Sequence, residues 1–271
     1  MAKFEITGSV LKKYNGNDKM VVIPDGVTEI GEEAFDGCKK LTKAELPEGL
    51  TEIGAFAFKD CHQLTELTIP DGVTKIGEGA FSFCTRLTSI TIPDSVTEIG
   101  EIAFMSCDSL TSIILPNNLT EISESLFDGC TGLESITIPE SVKKIGACAF
   151  ENTPWLEKQL NENTFFIING ILVGTDYLEG SVTLPDDVTE IAGEAFKDNN
   201  LKEITIPDSV KTIGRGAFMC CSNLTSVKLP DGLTEIGEDA FYCCESLTDI
   251  KIPDSVKTIG KNAFYGCNIR E

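Results

Sequence analysis

Histidine is nearly missing from this chain: His62 is the one copy among 271 residues. A His-rich metal site, and any mechanism that needs two imidazoles, is thereby excluded. Basic charge is scarce as well. Lys and Arg total 22 against 43 Asp and Glu, a net charge of -21 with a pI near 4.4. That balance disfavours the phosphate backbone of nucleic acid and the surface of anionic lipid as partners. No stretch approaches the ~18 uninterrupted apolar residues of a membrane-spanning helix. The opening Met-Ala-Lys-Phe-Glu-Ile-Thr-Gly-Ser-Val has neither the basic region and apolar run nor the small-residue cleavage site of an export signal. As written, the chain reads as soluble, with no membrane insertion. Disorder is excluded too, because 41% hydrophobic and 24% charged residues supply a sizeable core.

What is present in abundance is repetition. Pro24, Pro47, Pro70, Pro93, Pro116 and Pro139 stand 23 residues apart; Pro185, after a 46-residue interval, is followed by Pro207, Pro230 and Pro253. The interval is two rungs long but has lost the signature around Trp155, and the 22-residue step after Pro185 marks one deletion near Asn199. A clean rung is PDGVTKIGEGAFSFCTRLTSITI, Pro70 to Ile92. Eleven residues after each proline comes a phenylalanine: Phe35, Phe58, Phe81, Phe104, Phe127, Phe150, Phe196, Phe218, Phe241 and Phe264. One residue type at constant register implies rungs that stack, with each ring packed on those above and below. Val or Leu three residues after the proline, Ile at six, Ala beside the Phe, Leu at seventeen and Ile or Val at twenty and twenty-two complete an inward-facing set. A single rung leaves that set wet, so stability must come from nearest-neighbour burial, roughly 1.5 to 3 kcal/mol for each Phe side chain.

Within a rung, Leu87-Thr-Ser-Ile-Thr-Ile92 alternates and is β-branched, which predicts a strand ended by Pro93. Val96-Thr-Glu-Ile99 predicts a second, shorter strand, Gly100 a turn, and Ala103-Phe104 a helical turn. Stacked, the strands form a parallel sheet. The fold class is an α/β repeat, a solenoid of 23-residue rungs.

Of eleven cysteines, eight share one register: Cys38, Cys61, Cys84, Cys107, Cys130, Cys221, Cys244 and Cys267. Equivalent thiols on stacked rungs point parallel, so buried free thiols are expected in preference to disulfides or a metal site. Cys148, Cys220 and Cys243 fall outside the file and are expected to be exposed. Thiol density favours a reducing compartment.

The rung P-D-x-V-T-x-I-G-x-x-A-F-x-x-C-x-x-L-T-x-I-x-I closely resembles the BspA-like class of bacterial leucine-rich repeats, in some ten copies that cover nearly all of the chain. Asn152-Thr-Pro-Trp-Leu156 and Phe165-Phe-Ile-Ile-Asn-Gly-Ile-Leu172 resemble the segment that such proteins carry between arrays. Phe4 to Pro24 aligns without gaps on Phe165 to Pro185, as two copies of one opening module. The expected organisation is a hairpin-like cap (1-23), a first array (24-150), a degenerate insert with a second opening module (151-184) and a second array (185-271). Against the wider repeat consensus, the Asn or Cys slot falls on Ser95 and Val96 arrives one position early, so an asparagine ladder should be absent, with the cysteines expected in its place. The resemblance also implies a surface-associated or secreted protein that binds other proteins.

Chemistry is sparse. His62 follows Cys61, but no third group is at hand to orient a nucleophile pair. Acidic residues directly after the prolines, Asp25, Glu48, Asp71, Asp94, Glu140, Asp186, Asp208, Asp231 and Asp254, are expected to be solvated or to stabilise turns, with bridging cations as the alternative. No catalytic residue, metal or cofactor is expected. Candidate binding residues are the outward positions of the central strands, Ser89, Thr91, Ser112, Ile114, Ser135 and Thr137, which read either as β propensity on a solvated sheet or as a docking strip. Trp155, Phe165 and Phe166 read either as a contact hot spot or as cover for the gap between arrays. The expected function is non-enzymatic binding of a protein partner, with self-association through an uncapped rung at Cys267-Asn-Ile-Arg-Glu271 as the alternative.

Overall fold

The computed structural model describes residues 3–269. Arg270 and Glu271, within the stretch tied to self-association, lie outside them, as do Met1 and Ala2 of the opening cap. Two compact units are present, Met1–Lys143 with Cys148–Glu157, and Lys144–Ala147 with Lys158–Glu271. Each carries an antiparallel hairpin, Phe4–Thr7 against Val10–Tyr14 in the first and Phe165–Ile168 against Ile171–Thr175 in the second. The two hairpins pair in equivalent registers and slip at the equivalent step, Glu5/Ile6 and Phe166/Ile167.

From each hairpin, rungs stack as parallel strands. In the first unit the short strands Glu29–Ile30, Glu52–Ile53, Lys75–Ile76 and Glu98–Ile99 extend the hairpin sheet, while Met20–Val22, Lys43–Glu45, Glu66–Thr68 and Ser89–Thr91 form a second sheet. Ser112–Ile114 and Ser135–Thr137 pair in the same direction beyond it. In the second unit Glu190–Ile191, Thr212–Ile213, Glu235–Ile236 and Thr258–Ile259 continue one sheet, and Glu179–Thr183, Asn200–Thr205, Ser226–Lys228 and Asp249–Ile250 make the other. The longer strand begins at Ser89, two residues inside the predicted segment, and the shorter is confined to Glu98–Ile99. Side chains alternate as the pleat requires, for instance Leu67 in, Glu66 and Thr68 out.

Phenylalanine rings fill the interior in single file. Phe35, Phe58, Phe81, Phe104, Phe127 and Phe150 are buried in the first unit, with consecutive centroids 4.8, 5.6, 5.4, 5.6 and 6.2 Å apart. Phe196, Phe218, Phe241 and Phe264 repeat the file in the second at 4.8, 4.9 and 5.4 Å. Phe264 is half-buried. Aromatic residues close the first unit's file at both ends. Tyr14 stacks on Phe35 at 5.2 Å, and Trp155 meets Phe150 edge-on at 4.9 Å.

The segment around each Phe is not helical. In the rung of Phe104, Met105 N donates to Ile102 O (3.1 Å) and Cys107 N to Phe104 O (3.2 Å), closing successive tight turns. The alternate amides of Ile102, Phe104 and Ser106 donate across to Glu124 O, Leu126 O and Asp128 O of the next rung. The chain can face both ways because the residues nine and thirteen after the proline are left-handed, as at Ile102 (φ 52°) and Ser106 (φ 56°). A helical turn would turn every amide inward and leave the stack without this ladder.

Gly100 also plays a different part from the one expected. Neither it nor Gly54 or Gly77 is left-handed; a Cβ on Gly77 would lie 2.5 Å from Ala55 N and 2.6 Å from the Gly54 carbonyl carbon. Glycine recurs there because successive backbones approach too closely for a side chain.

One regular helix, Pro154–Glu162, was not anticipated. Its cap is explicit: Thr153 Oγ1 accepts from Leu156 N at 3.1 Å, and Pro154 occupies the first helical position, where no amide partner is needed.

Candidate functional site

The candidate site is the outward face of the first unit's longer strands. Each central strand exposes two side chains and turns one inward, so Ile113 is buried while Ser112 and Ile114 face water. Register aligns the outward residues into rows: Glu66 beside Ser89, Thr68 beside Thr91, Ser112 beside Ser135 and Ile114 beside Thr137. The structure thus places all six predicted residues, Ser89, Thr91, Ser112, Ile114, Ser135 and Thr137, on exposed positions of these strands. None carries charge, and Ile114 is 71% exposed. Lys43, Glu45 and Glu66 flank this strip, with Lys43 Nζ 3.7 Å from Glu66 Oε1. The strip is uncharged and carries a bare isoleucine in a chain of net charge -21, and the cores of protein contacts are likewise depleted in charge.

The aromatic candidates behave differently. Trp155 packs on Phe150, and its amide donates to Leu133 O at 2.9 Å. Phe166 is 8% exposed, and half-buried Phe165 packs against the second unit's core. As an accessible hot spot Phe166 fails, because its ring is spent on burial; Trp155 closes the ring file.

Around the file run side-chain ladders. Cys61 Sγ donates to Phe35 O (3.3 Å), Cys84 to Phe58 O (3.2 Å), Cys107 to Phe81 O (3.3 Å) and Cys130 to Phe104 O (3.0 Å). Cys221, Cys244 and Cys267 continue the pattern onto Phe196, Phe218 and Phe241. Each such carbonyl also accepts the amide of its own rung's residue fourteen after the proline, as Phe104 O does from Cys107 N. The cysteines therefore do the work expected of an asparagine ladder, and none of the eleven is joined in a disulfide. Burial pushes the Cys84 thiol up to about 12 and raises Cys61 further, so neither is a nucleophile at neutral pH. Two rungs depart at this register. Thr153 donates its hydroxyl to Phe150 O at 2.7 Å, and Asn199 donates to Thr175 Oγ1 and Asp176 O while accepting from Leu178 N.

Threonines form a further ladder that the sequence reading did not separate from β propensity. Thr65 Oγ1 donates to Thr42 O and Thr88 Oγ1 to Thr65 O, at 3.3 and 2.9 Å. Threonine recurring eighteen residues after the proline was the available signal.

His62 makes no catalytic pair. Its Nδ1 lies 2.9 Å from Phe83 O and its Nε2 3.7 Å from Asp60, whereas the Cys61 thiol is buried against Phe35 O. In the acidic file, Asp94 accepts from Asn117 N at 2.8 Å and Asn117 Nδ2 at 3.0 Å, and these bonds, the backbone one first, hold its carboxyl below the usual range. Its turn-stabilising role thus reaches across rungs. Among the described residues no group of three or more His, Cys, Asp or Glu could hold a metal, and no helix is long and apolar enough to cross a membrane.

Residues 13–107, 51–173 and 175–271 match the family described as BspA type leucine rich repeat region, in six copies. The chain belongs to the BspA-type leucine-rich repeat family. Among solved structures it is similar to a leucine rich cell surface protein from Faecalibacterium prausnitzii, at 30% identity and a TM-score of 0.57, over 98% of this chain and 85% of that one. It is also similar to a leucine-rich repeat protein from Bacteroides ovatus, at 29% identity and a TM-score of 0.48, over 93% of this chain and 77% of that one. No curated protein matches the chain. For a BspA-type repeat protein, side chains that recur are accounted for by stacking, so a binding role must be sought where the outward rows change character, as they do between Glu66 and Ser89.

Proposed function

We propose that this chain is a non-enzymatic binding module that docks a protein partner on the strip Ser89, Thr91, Ser112, Ile114, Ser135 and Thr137. The observation that carries the reading is the loss of charge across these three strands, with Ile114 exposed among hydroxyl side chains. Contact cores are depleted in charge, and short β-branched or hydroxyl side chains on a hydrogen-bonded sheet lose little rotamer freedom on contact. The similarity to a cell surface protein from F. prausnitzii supports a partner met outside the cell. Repeat arrays offer extended surfaces of this kind.

The test is a capture experiment with the full chain and with a Thr91→Glu/Thr137→Glu variant. Both positions are exposed, so the variant should melt within about a degree of the wild type. Retention of specific proteins by the wild type and their loss from the variant is the expected outcome. Equal retention by both would move the site off this strip.

A further inference from the structure

Two cysteines stand on consecutive rungs outside the thiol ladder. Cys220 and Cys243 occupy the left-handed position thirteen residues after Pro207 and Pro230, at φ 59° and 57°, each just before a ladder cysteine. Cys220 N donates to Tyr242 O at 2.8 Å and Cys243 N to Tyr265 O at 2.7 Å, so the two backbones run side by side in register. Neighbouring strands lie about 4.8 Å apart, inside the Cα separation of roughly 4.4 to 6.8 Å that a disulfide spans. Both residues are half-buried and reachable from solvent, whereas Cys221 and Cys244 are buried with their thiols given to Phe196 O and Phe218 O.

The next rung shows where a sulfur at this position points. A Cβ built on Gly266, the equivalent residue one rung on, would lie 3.2 Å from Cys243 Cα and 3.4 Å from Cys243 Sγ. The sulfur therefore leans along the stack, onto its neighbour's Cβ position. In a disulfide each sulfur sits about 3 Å from the partner's Cβ, given a sulfur–sulfur bond of about 2.04 Å. By the same stacking, a Cys220 side chain in that rotamer would face the Cβ of Cys243; parallel thiols do not bond, so closure requires Cys243 to change χ1 and turn its sulfur back toward Cys220.

We propose that Cys220 and Cys243 form an oxidisable dithiol, a modification site for low-molecular-weight disulfides such as oxidised glutathione. One thiol, as thiolate, attacks a sulfur of the small disulfide; a mixed disulfide forms and one glutathione thiolate leaves with the displaced electron pair. The second protein thiolate then attacks the protein sulfur of that mixed disulfide, which closes the Cys220–Cys243 bond and expels the remaining glutathione. Two protein thiols are oxidised, one small disulfide is reduced, and the two protons end on the two glutathione thiols. The new bond staples the rung of Phe218 to the rung of Phe241.

The full chain is incubated with excess oxidised glutathione, quenched with acid, alkylated in denaturant and digested without reduction for mass spectrometry. The expected result is a cross-linked peptide that joins Cys220 to Cys243, with the other cysteines alkylated. In Cys243→Ser the cross-link should vanish and Cys220 should retain glutathione. The wild-type digest decides the matter even if that variant folds poorly. Alkylation of both residues after oxidation, mixed disulfides that persist on both without closure, or cross-links through ladder cysteines instead would each overturn the proposal.

Discussion

Replacing Phe104 by Ala tests the stacked interior directly. The ring is fully buried and lies 5.4 Å from Phe81 and 5.6 Å from Phe127, so its loss opens a gap between two flat rings. The hydrogen-bonded backbone ladder on the Phe104 segment, to Leu126 O and from the Cys130 thiol, prevents the rungs from closing that gap. A Phe→Ala truncation at a site that cannot collapse costs about 3 to 5 kcal/mol, and the loss of two ring contacts places this one toward the upper end. For a body of this size the upper part of that range lowers the melting temperature by roughly 8 to 20 °C. Phe83 supplies the control: it is 37% exposed, outside the file, and Phe83→Ala should cost below about 1 kcal/mol. Urea unfolding followed by circular dichroism measures both, and a Phe104→Ala/Phe127→Ala cycle should show coupling of at least about 0.5 kcal/mol. A Phe104→Ala protein that melts within a degree or two of the wild type, or a cycle that is strictly additive, would refute the reasoning.

Gly77→Ala should destabilise the first unit by about 2 kcal/mol or more, the reverse of the usual gain from Gly→Ala, because the clashing atoms are backbone of the rung before; thermal melts give the sign. Stability should also fall as pH rises above about 9. The buried Cys84 thiol titrates near 12 in the folded chain, above its ordinary 9.0, so between those values the unfolded chain has released a proton that the folded chain keeps. A raised folded value contributes stability in full below pH 9 and loses it on the way to 12, by about 1.4 kcal/mol per pH unit for each such thiol. Urea midpoints from pH 8 to 11 check this: Cys84→Ala should flatten the slope, and an unchanged midpoint across that range would contradict the burial of the thiols.

Much of this was legible without coordinates. A phenylalanine that returns at one register, beside an alanine and three residues before a cysteine, has no explanation except that like meets like in successive rungs, and the ring file follows. Outward exposure of Ser89, Thr91 and their neighbours follows equally from the two-residue alternation of a strand. What stayed hidden depends on backbone contacts between rungs. The left-handed position nine after the proline holds Glu33, Phe56, Gly79, Ile102 and Ser125 in turn, so there residue type carries no signal and cross-rung amide bonding imposes the conformation, whereas the position thirteen after it holds, in several rungs, Gly37, Asp60, Gly129, Asn152 and Asp198, types that tolerate a positive φ. The glycine file reads as a turn until Gly77 is seen against Ala55 N. The fate of each thiol, buried with its proton given to a carbonyl at Cys84 or half-buried outside that ladder at Cys220, turns on a displacement of one residue around a tight turn. Sequence periodicity therefore determined which side chains stack, because identity repeats with the chain; only the tertiary structure decided what their polar atoms do, because those partners belong to the neighbouring rung's backbone, which every residue shares.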